Sequence, residues 1–147
     1  MTASSFQCSR MVQFSETDLA GVMHFSNYFR WMEDVEHAFL RARGLQPLTR
    51  AGESTIGWPR VRCSCDFRSP LRFGDSVDLS LRVLRVGDRS VEYSVDFVVG
   101  GVPAARGSVT VACCEMANGK LIAAAIPAAF RALLESCVDS KPVSDRS

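Results

Sequence analysis

The apolar residues of this chain change their spacing once, and that change limits what it can fold into. Phe25, Tyr28, Phe29, Met32, Val35, Phe39 and Leu40 fall on one broad stripe at helical spacing. From Val61 onward the apolar residues recur every second position instead. Val61, Cys63, Cys65 and Phe67 alternate with polar neighbours, as do Val77, Leu79, Leu81 and Val83. Val91, Tyr93, Val95, Phe97 and Val99 repeat the pattern, and so do Ala105, Gly107, Val109, Val111 and Cys113. Turn signals separate these runs at Phe73-Gly74-Asp75, Gly87-Asp88 and Gly100-Gly101, with a last one at Asn118-Gly119. A first strand is expected from Phe6 to Phe14. Pro127 suits the first turn of a short helix ending near Glu135.

A long helix with no equal partner must bury its stripe against a sheet. The predicted class is therefore α+β: a long central helix wrapped by a five-stranded antiparallel sheet. Residues 1–138 are expected to form one domain, and the polar stretch 139–147 a frayed tail.

The helix is expected to start at Ser26 or Asn27, one of them acting as N-cap, and to run to Arg43. Glu33, Asp34 and Glu36 precede Arg41 and Arg43, as the helix dipole favours, and Gly44 supplies the stop. Just ahead of it, Asp18 sits in the turn-prone Asp18-Leu19-Ala20-Gly21 among the apolar Leu19, Val22, Met23 and Phe25. An aspartate here has an ordinary reading as a turn or cap residue. It also has a chemical one, because a helix start offers unpaired N–H groups to a developing oxyanion.

Other features exclude more than they assign. A net charge of +1 gives no field for nucleic acid or anionic lipid. No apolar run approaches the ~20 residues of a membrane span, and MTASSFQCSR lacks a signal peptide's apolar core, so a cytoplasmic location is the expectation. Six cysteines without a CxxC, beside two histidines, do not make a zinc site; buried or half-buried structural thiols are expected, with no metal and no cofactor. Glu36 falls among the apolar stripe and therefore requires a partner. Arg82, Arg85 and Arg89 form the nearest approach to a phosphate-binding cluster, or else a solvated basic face.

Thr17-Asp18-Leu19-Ala20-Gly21-Val22, followed by His24-Phe25-Ser26-Asn27-Tyr28, resembles the signature of hotdog-fold acyl-CoA thioesterases of the 4-hydroxybenzoyl-CoA and Tol-Pal-associated types. Phe67, Pro70, Gly74 and Asp75 resemble a second block of that family. The resemblance implies a hotdog fold and hydrolysis of an acyl-CoA, aromatic or fatty, to free acid and CoA. It implies Asp18 as nucleophile or general base, Gly21 as the turn glycine and the Phe25 backbone amide as the carbonyl-polarising group. His24 is a further candidate at the catalytic end. Tyr28 and Trp58 are candidates for the acyl pocket, and Arg89 for the CoA phosphates. A homodimer or homotetramer is implied, edge strands being its natural contact. The alternative is a non-catalytic acyl-CoA-binding module on the same fold.

Overall fold

Residues 5–138 are described in the computed structural model; the expected tail at 139–147 lies outside them. Strand β1 (Ser5–Met11) leads through a single 3-10 turn, Phe14–Glu16, to helix α1 (Ser26–Ala42). Two short strands follow, β2 (Thr49–Ala51) and β3 (Ser54–Gly57). The long strands are β4 (Arg60–Phe67), β5 (Ser76–Val86), β6 (Ser90–Val99) and β7 (Val102–Ala112). Strands β8 (Cys114–Ala117) and β9 (Lys120–Ala123) precede helix α2 (Ala128–Ser136).

The main sheet has five antiparallel strands in the order β1-β5-β6-β7-β4. A second sheet, β2-β3-β8-β9, corrects the expectation of a single sheet. Its strands are only three or four residues long, too short to show a period, which is why the sequence pattern passed over them. Strand β1 also ends at Met11 rather than Phe14: the chain tightens into the 3-10 turn, where Glu16 N–H reaches Gln13 O at 3.0 Å.

Helix α1 buries Met32, Val35, Phe39 and Leu40 of the stripe, together with Trp31, in one core with Leu79, Leu81, Tyr93, Val95 and Phe97 of the sheet, while Phe25 of the stripe stays exposed. Rings meet across this layer, Trp31 on Phe97 and Phe39 on Tyr93, both at 6.4 Å between centroids. Burying side chains of this size contributes roughly 1.5–3 kcal/mol each, the main term holding helix to sheet. Gly107 explains how close the layers come. A Cβ there would lie 2.2 Å from Met32 Sδ, so only hydrogen fits beneath the helix.

The helix C-terminus closes as the sequence suggests. Gly44, at φ +78°, donates to Arg41 O at 3.0 Å, and Leu45 donates to Leu40 O at 2.8 Å. The N-terminus does not. Phe25 holds the cap position, and neither Ser26 nor Asn27 caps the helix. The Ser26 hydroxyl pairs with His24 Nδ1 at 2.8 Å, and the Asn27 amide donates to Glu16 O at 2.9 Å. Both side chains bind the preceding loop instead of the helix's own amides. The cysteine expectation also needs amendment, since Cys63 on β4 is exposed while Cys113, Cys114 and Cys137 are buried.

Glu36 finds the partner its burial demands. Arg60, at the start of β4, bonds its carboxylate, lies 3.3 Å from Glu33 and donates to Trp58 O at 2.8 Å. Burial nevertheless outweighs Arg60 and pushes the Glu36 carboxyl up to about 7. A raised carboxyl contributes stability that is full below its ordinary value near 4.5 and is lost as pH rises through about 7. Glu36→Gln should therefore gain on the wild type by up to about 3 kcal/mol between pH 5 and pH 8 in urea unfolding. Parallel stability–pH curves for the two proteins would contradict this assignment.

Candidate active site

The site is built where the loop between β1 and α1 meets the start of β5. Asp18 N–H donates to Val22 O at 2.9 Å and Gly21 N–H to Asp18 O at 3.0 Å, closing residues 18–22 into a tight turn. Gly21 sits at φ +77°, a conformation that side chains resist, so the turn needs glycine there. Met23 N–H then bonds Leu71 O at 2.6 Å, which ties the loop to the segment leading into β5.

Asp18 has the turn role that its sequence position suggests. Its Oδ1 accepts from Ala20 N–H at 2.8 Å and from Val22 N–H at 3.4 Å, the ordinary turn role. Its Oδ2 has no hydrogen-bond partner among the described residues. The turn therefore holds the carboxylate through one oxygen and leaves the other without a partner among the described residues.

Asp18 lines a cavity of about 350 Å³ with Met23, Phe25, Tyr28, Phe67 and Arg68. Around Phe25 the other amides are taken: His24 N–H bonds Glu16 O, and Asn27 N–H bonds His24 O. Ser26 N–H turns to His24 Nδ1 at 3.3 Å. The Phe25 N–H has no acceptor among the described residues. Asp18, with its carboxylate fixed by the turn, and Phe25, with its amide unspent, are thus residues of one apolar-walled cavity.

Tyr28 supplies the floor, buried, with its ring edge-on to Phe67 at 4.8 Å and tilted against Phe97 at 5.3 Å. Burial pushes its hydroxyl above the ordinary range, so it stays protonated. His24 is not brought in: its ring stacks on Phe25 at 4.6 Å and its Nδ1 engages Ser26, outside the cavity lining. Trp58 lines a different hollow with Glu36, His37 and Leu40, roughly 15 Å along the helix from its start. Arg89 lies beyond the β5–β6 turn, and β5 separates it from the Asp18 loop by on the order of 30 Å. Within one chain, Trp58 and Arg89 do not meet Asp18. Burial pushes the thiols of Cys8, Cys65 and Cys113 up, Cys65 to about 11, which makes poor nucleophiles. Among the described residues no three His, Cys, Asp or Glu side chains gather as a metal site would require.

The sequence matches the thioesterase-like superfamily over residues 12–134, a span that holds the loop, α1, every strand after β1 and most of α2. This chain belongs to that superfamily. A 1,4-dihydroxy-2-naphthoyl-CoA hydrolase of Prochlorococcus marinus (strain MIT 9313) is 36% identical over 95 residues, 60% of this chain and 63% of the relative. The Synechococcus sp. (strain RCC307) protein of the same name is 32% identical over 111 residues, covering 73% and 85%. The chain thus aligns with under two thirds of the first relative's length. Among solved structures, a gentisyl-coenzyme A thioesterase is 27% identical with a TM-score of 0.74, over 86% of this chain and 99% of its own. A Synechocystis 1,4-dihydroxy-2-naphthoyl-CoA thioesterase, 19% identical with a TM-score of 0.76 over 88% and 95%, shows the shared fold. The expected hotdog architecture is the one this thioesterase-like chain has.

Sequence reasoning missed the residues that position the site. Glu16 Oε2 accepts the indole N–H of buried Trp31 at 2.7 Å, and its Oε1 accepts Gln13 N–H at 2.9 Å. Its backbone carbonyl takes both His24 N–H, at 2.8 Å, and the Asn27 side chain. One residue therefore ties the Asp18 loop to the first turns of α1. Glu16 precedes Asp18 by two positions, but nothing in its spacing points to Trp31. Glu16→Ala should lower Tm by roughly 3–10 °C, since it strands the buried Trp31 N–H, whereas Glu16→Gln, which keeps an acceptor, should recover most of that. An equal drop in both variants would assign the effect to the Arg10 ion pair at 3.4 Å.

Proposed function

We propose that this protein hydrolyses acyl-CoA thioesters to the free acid and CoA. One observation supports the reading: Asp18, whose Oδ2 has no partner among the described residues, and Phe25, whose N–H is unspent, line the same apolar-walled cavity. A thioester needs little help with its thiolate leaving group, so a base or nucleophile and one oxyanion donor make a sufficient set.

In the general-base form, Asp18 Oδ2 takes a proton from water as the oxygen adds to the carbonyl carbon. The Phe25 N–H holds the oxyanion. Collapse breaks the carbon–sulfur bond, and the thiolate leaves with the proton that Asp18 carried. In the nucleophilic form, Asp18 itself adds and expels the thiolate, and water then cleaves the mixed anhydride. Single turnover in heavy-oxygen water separates them, because only the second route places label in Asp18.

The names of the relatives, with their dihydroxynaphthoyl and gentisyl substrates, support an aromatic acyl group here, as does a wall of Phe25, Tyr28 and Phe67. A CoA thioester fits a cytoplasmic setting. Among the described residues no helix is long and apolar enough to cross a membrane. His24 stands close enough in sequence to influence the loop, through Ser26 rather than through Asp18.

The working unit on this reading is a homodimer joined at β4. Arg68 N–H bonds Ala104 O on β7, so by strand alternation the backbone groups of Cys63, Cys65 and Phe67 point to the open edge. Their side chains share the helix side, because Cys65 pairs with Gly107, which lies under Met32. A second β4 added antiparallel would cover Phe67, which is 52% exposed, and bring the partner's start of β4 towards this cavity. Trp58 and Arg89 take part in substrate binding only by this route, from another copy. Light scattering should find a dimer or tetramer at micromolar concentration. An active monomer would remove the proposed interface.

Asp18→Asn is the direct test. Asn keeps the Oδ1 acceptor that holds the turn but lacks the charge and basicity of the free oxygen. The variant should retain fold and Tm while kcat falls at least ~10²-fold, with a smaller change in KM. Full activity in a folded Asp18→Asn protein would leave only the turn role, and tight acyl-CoA binding without turnover in the wild type would favour the binding-module reading.

A further inference from the structure

Arg68 is the one cation lining the Asp18 cavity, and it lines a second one as well. The neighbouring hollow, about 330 Å³, is walled by Arg68, Asp96, Val98, Pro103 and Arg106. Arg68 therefore borders both cavities. Its backbone is pinned, since Arg68 N–H and Ser69 N–H both bond Ala104 O, at 2.8 and 3.1 Å. Its guanidinium, by contrast, is exposed and has no partner among the described residues.

The other charges of the second hollow are already engaged. Asp96 accepts from Arg106 Nε at 2.6 Å and from Arg82 at 3.2 Å, so its carboxylate is shared by two guanidiniums. Asp66, beside Arg106 in the strand register, is the neighbouring carboxylate on β4. Arg68 alone joins the apolar cavity to this polar hollow with its donors unspent. A CoA thioester seated at Asp18 has an arm that is uncharged, carries two amides and ends in phosphate. Arg68 is the cation bordering both the cavity that would take the thioester and the polar hollow beside it.

We propose that Arg68 binds the phosphate that ends the pantetheine arm of the substrate, with Arg106 bordering the same subsite. The inference rests on the thioesterase reading, and it places phosphate recognition on the chain that supplies Asp18 rather than at Arg89 of another copy. The same phosphate occurs in CoA and in the prosthetic group of an acyl carrier protein, so Arg68 reads what the two share.

Calorimetry with 4'-phosphopantetheine and with pantetheine, which differ only in the phosphate, tests this without needing turnover. The wild type should bind the phosphorylated compound at least ~10-fold more tightly, as a charge-assisted contact allows. Arg68→Ala should abolish that difference while leaving pantetheine binding within ~2-fold, and Arg68→Lys should restore part of it. No wild-type preference, or a preference that survives in Arg68→Ala, would overturn the proposal. So would a preference lost in Arg89→Ala and kept in Arg68→Ala. In turnover, Arg68→Ala should raise KM for the acyl-CoA and for the acylated carrier protein alike, and raise it much less for the N-acetylcysteamine thioester. A rise confined to the carrier protein would replace phosphate recognition with a protein contact and overturn it. A wild type that hydrolyses none of these thioesters would defeat the proposed activity, while the calorimetry would still decide the role of Arg68.

Discussion

Helix α1 lies so close to the sheet that β7 carries a glycine beneath Met32, and the position of the candidate site follows from that contact. Burial of Trp31, Met32, Val35 and Phe39 fixes the helix along its length. A helix fixed along its length has a fixed start. Phe25 is thereby held at one wall of the cavity, which is what the proposed oxyanion role of its amide requires, since such a donor works only if it needs no rearrangement when charge develops.

The loop ahead of the helix is held by polar contacts rather than by burial. Glu16 uses its carboxylate on Trp31 and its carbonyl on His24 and Asn27, while the 18–22 turn uses half of the Asp18 carboxylate. The consequence is economical in donors. Ser26 and Asn27, which would ordinarily cap the helix, face the loop, and the amide at Phe25 is left over. The helix start is left without a side-chain cap, and its cap residue Phe25 lines the same cavity as Asp18.

The edges of the main sheet show a related division. On β5, β6 and β7 the alternating apolar residues are buried, whereas on β4 Val61 and Phe67 are 62% and 52% exposed. The same period-two pattern thus had two outcomes, set by whether a neighbour lies on both sides. The proposed second copy would give β4 the neighbour that the single chain lacks, and would bring Trp58 into reach of a site it cannot approach alone.

What the sequence determined by itself was whatever depends on local period and turn chemistry. The α1 stripe, the four long strands after it, the Gly44 stop and the Gly21 turn all follow from residues within a few positions of each other. The Asp18 and Phe25 candidates were also legible, because they lie seven residues apart in a recognisable block. The short strands of the second sheet were not, since three or four residues cannot establish a period. Nor was the Glu16–Trp31 contact, in which a loop carboxylate meets an indole presented by a helix packed from behind. The sequence singled out Arg89 and not Arg68, although both are arginines beside strands. Strand direction alone sets them at opposite ends of the sheet, because each antiparallel turn reverses which residues share an end, and that order of strands exists only in the tertiary structure.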